Sequence, residues 1–232
     1  VSFSADDTNN QLVINSDDNT VAGEFNFVDD SDANTVAGRG NEVFDSSDYN
    51  QVAGDYNDVE DSNGNTVAGQ ENVLYESDHN QVAGYDNDLD DSDRNTVAGD
   101  GHELDNANNN AVVGNENELN NVVNNQVAGL RNEVLEQSDN NTVAGQYNEM
   151  LDDSDSNTVS GSSNNLEDSD YNQVTGFENE LFESDNNTVA GYGNDLDDSN
   201  RNTVSGDTNV LDGADDNQVT GYENDLDDSD RN

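Results

Sequence analysis

The chain repeats itself about every 15 residues. Aligned on valine, anchors fall at Val21, Val36, Val52, Val67, Val82, Val97, Val112, Val127, Val143, Val159, Val174, Val189, Val204 and Val219. The spacing is 15 residues, with three spacings of 16. Asn precedes all 14 anchors by two residues, from Asn19, Asn34, Asn50 and Asn65 to Asn217, and Gly follows all 14 by two, from Gly23 and Gly38 to Gly221. Five residues after the anchor stands Asn in 13 units, beginning with Asn26 and Asn41, and His102 is the exception. Seven after is always aliphatic, as in Val28, Leu74, Leu89, Met150 and Leu226, and a Ser usually follows three later, as in Ser31, Ser92 and Ser169. The unit reads N-[TQ]-V-[AST]-G-x-x-N-x-[LV]-x-[DE]-S-D-x. Copies this regular adopt one local shape, and short tandem units of this kind stack as solenoids.

Without the repeat the chain would read as disordered, because only 29% of residues are hydrophobic and the formal net charge is −49. A helical repeat fails, since every unit carries Gly and at least two Asn, which are poor helix residues. Strands fit. In N-T-V-A-G, alternation points Asn, Val and Gly one way and Thr and Ala the other. In the second arm Asn and Leu point in. The G-x-x-N step is predicted to turn the corner, with Gly tolerating positive φ, and D-S-D-x makes the return turn with Ser inward. Each coil gives a thin core of one Val and one larger aliphatic, so stacking has to supply the stability. Inward Asn residues stacked at ~4.8 Å hydrogen-bond along the axis as two ladders, and none of those columns accepts Gln or Asp. The expected fold is all-β: a single-stack β-solenoid of about 15 coils, 15–16 residues each, with two short parallel strands per coil and a length on the order of 70 Å. Residues 1–18 form an irregular N-terminal coil or cap, with Phe3 and Ala5 as candidates for an extra inward strand; residues 19–232 form one continuous solenoid.

The repeat N-T-V-A-G-x-x-N-x-L resembles the N-x-V-x-G unit of the grass antifreeze (ice-recrystallisation-inhibition) proteins. It is similar from Asn10 to Asn232. The resemblance implies a β-roll with a Val core, internal Asn ladders and ice-binding activity. The acidity and the D-S-D turn depart from that family. A more distant likeness is to curli-type subunits, whose repeat is longer.

The outward first-arm positions form two columns. One begins Thr20, Thr35, Gln51, Thr66, Gln81, Thr96; the other begins Ala22, Ala37, Ala53, Ala68, Ala83, Ala98. None of the 28 positions is charged, in a chain carrying 54 acids. Three readings compete for this flat neutral face: an ordinary sheet surface, lateral packing against another protein or a second copy, and contact with ice. Five Gln side chains break the even Thr array that ice would favour.

The remaining surface is anionic, at about 1.5 Å of expected length per charge, close to duplex DNA. Such a chain is not expected to bind nucleic acid, and cations should stiffen it. The turns at Asp30-Ser31-Asp32, Asp91-Ser92-Asp93, Asp153-Ser154-Asp155 and Asp168-Ser169-Asp170 begin like a calcium loop but lack its Gly and its closing Glu. Calcium bridging Asp columns between coils is the cofactor this pattern suggests, and a solvated acidic edge is the alternative. Aromatics cluster at the x-x corner (Phe25, Tyr56, Tyr85, Tyr147, Phe177, Tyr192, Tyr222) and are expected to face outward. Asn140-Asn141-Thr142 and Asn186-Asn187-Thr188 match the glycosylation sequon.

The absence of Cys excludes disulfides and thiolate metal sites, and no apolar run reaches the ~18 residues of a membrane span. A repeated unit offers no singular, differentiated cluster in a pocket, so catalysis is not expected. Val1 in place of Met suggests a processed or trimmed N-terminus, and the stop at Asn232, one residue into a coil, suggests either that more chain follows or that another subunit stacks there. The reading that best joins these features is an extracellular, secreted structural protein that self-associates head to tail and laterally. Ice binding comes second, and an acidic calcium-binding or mineral-interacting protein third.

Overall fold

The computed structural model describes residues 12–227. Among these there is no helix: short strands alternate between five and three residues in length. The chain divides into two compact units, Val1–Glu116 and Asn117–Asn232, and each is a β-solenoid.

In the first unit the five-residue first arms, from Thr20–Glu24 to Ala111–Asn115, pair side by side in one parallel sheet; the three-residue second arms, from Leu12–Ile14 to Glu103–Asp105, pair in another. The second unit repeats this with second arms from Glu118–Asn120 to Asp225–Asp227 and first arms from Gln126–Leu130 to Gln218–Tyr222. Together the described residues hold 14 first arms and 15 second arms, in line with the expected coil count. Register places equivalent residues over one another: Val82 lies between Val67 and Val97, and Val159 between Val143 and Val174.

The interior is as thin as the repeat implied. Anchor valines such as Val36, Val97 and Val174 are buried, and so are the second-arm aliphatics Val28, Leu74, Leu89, Met150 and Leu211. A typical coil buries more polar than apolar side chains: its two ladder residues and, usually, a Ser, against one Val and one larger aliphatic. Buried amides and hydroxyls are tolerated only when hydrogen-bonded, so the ladders are a condition of the fold.

The repeat glycines take the positive φ expected of them, 115–146°, a region that L side chains rarely adopt. Closeness adds a second demand for Gly. A Cβ on Gly145 would lie 1.8 Å from the carbonyl oxygen of Gly161 in the next coil. The residue just before Asn also takes positive φ at this corner, in the left-handed helical region, as at Phe25 (φ 59°), Tyr56 (φ 59°) and Glu71 (φ 57°). Two more left-handed residues flank the D-S-D turn, as at Asp30 (φ 47°) and Ala33 (φ 61°). The 16-residue coils absorb their extra residue there, as tandem left-handed pairs: Asp45-Ser46, Glu136-Gln137 and Asp152-Asp153.

The repeat geometry also starts earlier than predicted. Leu12–Ile14 pairs with Phe27–Asp29 as a regular second arm, and Asp18 (φ 58°) turns as Ala33 does. Residues 12–18 therefore belong to the solenoid rather than to an irregular cap, because Val13 and Ser16 supply the inward pattern that the next coil needs. The candidate strand at Phe3 and Ala5 lies outside the described residues, as do residues 228–232.

Candidate functional site

The two Asn columns hold coils together in different ways. In the column of Asn19, Asn34, Asn50 and Asn65, Oδ1 accepts the backbone N–H of the next Asn at 2.7–2.8 Å, while Nδ2 donates to the Ser carbonyl of the next coil, as from Asn34 to Ser47 at 2.7 Å. Direct amide links are occasional there, as from Asn65 Nδ2 to Asn50 Oδ1 at 3.1 Å, whereas in the column of Asn26 and Asn41 they are the rule. Nδ2 of Asn41 donates to Oδ1 of Asn26 at 3.0 Å, and this link recurs to Asn194–Asn209 at 2.6 Å. The same Nδ2 also reaches the carbonyl of the next glycine, Gly54, at 2.8 Å. His102 is buried in this second column, its backbone N–H donating to Oδ1 of Asn87 at 3.1 Å.

A third ladder runs through the turn serines, each Oγ accepting the backbone N–H of the next Ser, as from Ser77 to Ser62 at 2.8 Å. A fourth was not anticipated. The residue after Ser accepts the backbone N–H of its predecessor one coil earlier: Asp17 donates to Asp32, Asp78 to Asp93, Asp139 to Asp155 and Asp155 to Asp170, at 2.5–2.7 Å. Half of the candidate metal ligands thus serve the backbone with one carboxylate oxygen. Burial pushes the Asp155 and Asp170 carboxyls above their ordinary range, opposed by those donated N–H groups. The other half, Asp30, Asp91, Asp153 and Asp168, are exposed left-handed corner residues. Among the described residues no group of three or more acids or histidines converges as a metal site. The sequence held a sign of the fourth ladder: its column mixes Asp with Asn (Asn63, Asn108, Asn200), a substitution that keeps a short acceptor and discards the charge.

The neutral face is assembled as expected. Thr20 stands over Thr35 and Ala22 over Ala37, and the same register carries Thr66, Ala68, Thr96 and Ala98. The Thr positions are exposed, the Ala positions exposed or half-buried. Gln51 sits between Thr35 and Thr66, so long side chains interrupt the rows. One hydroxyl contact crosses this face, Ser160 to Thr175 at 3.3 Å.

The outward second-arm positions are the opposite. Register sets Asp88 beside Glu103 and Asp90 beside Asp105, and these four acids line a shallow groove with Tyr75 and Leu104. The corner aromatics are exposed, from Phe177 at 41% to Tyr222 at 69%. Phe177 and Tyr192 stack with centroids 5.5 Å apart, and the Arg39 guanidinium lies about 6 Å from the rings of both Phe25 and Tyr56. Arg201 pairs with Asp215 and Asp216 of the following coil. No helix among the described residues is long and apolar enough to cross a membrane. No protein-family model matches the chain, and no curated protein matches it.

Proposed function

We propose that the chain is a non-catalytic extracellular structural protein that assembles with copies of itself into a filament, fibre or stalk. One observation carries the reading. The first-arm sheet presents uncharged residues in register on every coil, in a chain whose other surfaces are crowded with acids. A neutral, flat sheet is where two such polyanions can approach each other without repulsion. Coil-to-coil bonding extends the same logic, because every ladder is satisfied by an identical coil, whichever chain supplies it. A non-catalytic role is supported by repetition: what one coil offers, the next offers too, whereas active sites use differentiated residues. Cations act in this reading as counterions that relieve self-repulsion.

Ice binding is the second reading, favoured by stacked Thr pairs such as Thr20–Thr35, Thr142–Thr158 and Thr188–Thr203 and by the likeness to the grass repeat. Two measurements on purified protein separate the readings. Ordered filaments by electron microscopy without thermal hysteresis support assembly. Thermal hysteresis from a protein that stays monomeric in sedimentation would replace it with ice binding.

A further inference from the structure

On the second-arm sheet, carboxylates stand beside carboxylates. Register puts Asp58 next to Glu42, Asp88 next to Glu103, Glu133 between Glu118 and Glu149, and Asp195 next to Glu180. Adjacent strands lie ~4.8 Å apart, close enough for ionised neighbours to repel strongly. No Lys or Arg occupies these columns among the described residues. The Asp58 Oδ1 atom is buried and has no hydrogen-bond partner, the position an added proton would occupy.

We propose that the second-arm face is an acid-responsive clamp, in which uptake of protons in mild acid turns repelling carboxylate columns into proton-sharing pairs that fasten successive coils. The ligand is the proton itself. The inference rests on strand register and not on the proposed structural role, so either can fail alone.

The surroundings of Asp58 define the sign. It faces Glu42 from one neighbouring strand and Val73 from the other, with Glu60 on its own strand standing between Phe44 and Tyr75. Burial first, then Glu42 and Glu60, pushes its carboxyl up to about 6 from an ordinary 3.8. Asp88, Asp195 and Glu133 are raised by burial first and by their stacked acids second. An acid raised in this way weakens the fold while ionised. The penalty fades as pH falls through the folded value and is gone below the ordinary one, so for Asp58 stability grows between about 6 and 3.8. Most proteins lose stability across that range as native carboxylate pairs are protonated.

The test is thermal unfolding of the purified chain by circular dichroism, in EDTA at constant ionic strength, from pH 8 to pH 5. The midpoint should rise by roughly 5 °C or more. D58N and D88N, which mimic the protonated state at two stacked positions, should each raise the midpoint at pH 8 and together flatten the pH dependence. D55N removes a charge from a position in register with Arg39 and Gln70, and should leave the slope unchanged. A midpoint that is flat or falls towards pH 5 overturns the proposal, as does a slope that D55N flattens as much as the other two, which would mean diffuse charge relief. Should D58N fail to fold, infrared detection of protonated carboxyl in the native wild-type chain at pH 6 decides the matter, its presence supporting the clamp and its absence refuting it.

Discussion

The two sheets of each unit share one coil spacing and one thin interior, yet their outer faces differ completely. The first-arm sheet is neutral and built at close quarters, with glycine carbonyls nearly touching the next coil. The second-arm sheet is short-stranded and stacks acid on acid. In a solenoid each outward residue meets its own copy, so a choice made once is multiplied along the column. A Thr column costs nothing electrostatically, whereas an acid column accumulates repulsion. The interior ladders tolerate both because they never touch the outward groups.

That contrast can be broken most severely at the closest approach. Gly145→Ala drives a methyl into the Gly161 carbonyl and is expected to cost more than about 4 kcal/mol, read as loss of the cooperative melt. An outward truncation on the other sheet, Asn165→Ala, should cost less than about 0.5 kcal/mol. The ladders rank next. Asn148 links to Asn132 and to Asn164 by its side chain, so Asn148→Ala should cost about 3 kcal/mol in denaturant melts. Asn157→Ala, which removes only side chain-to-backbone bonds, should cost about 2 kcal/mol. Ser169→Ala should cost about 1 kcal/mol, because Ala107 and Ala214 already occupy that column. The smallest effect sharpens the comparison most. Thr142→Glu with Thr158→Glu places two acids in register on the neutral face. It should lower stability by about 0.5 kcal/mol in low salt and by nothing measurable at 1 M NaCl. A loss that persists in high salt would show that the neutral face is selected for packing rather than for charge.

Some of the site was readable and some was not. Thr20, Ala22, Asn19 and Asn26 lie on the predicted sides because strand alternation leaves no choice once Val21 is inward. Asp32 and Asp155, which their Asp-Ser-Asp turns suggest as cation ligands, each accept a backbone N–H from a residue 15 or 16 positions away. Nothing within a single repeat signals that bond, because donor and acceptor come from different coils. Only the exchange of Asp with Asn down the column hints at it.

The sequence by itself determined the coil length, the inward and outward sets and the neutral face, since these follow from periodicity and the two-residue alternation of a strand. Only the tertiary structure decided how closely each glycine lies against the next coil, how the two asparagine ladders differ, where an extra residue is absorbed and which acids stand beside which. Those features depend on the distance between one coil and the next, and that distance exists only after the coils have stacked.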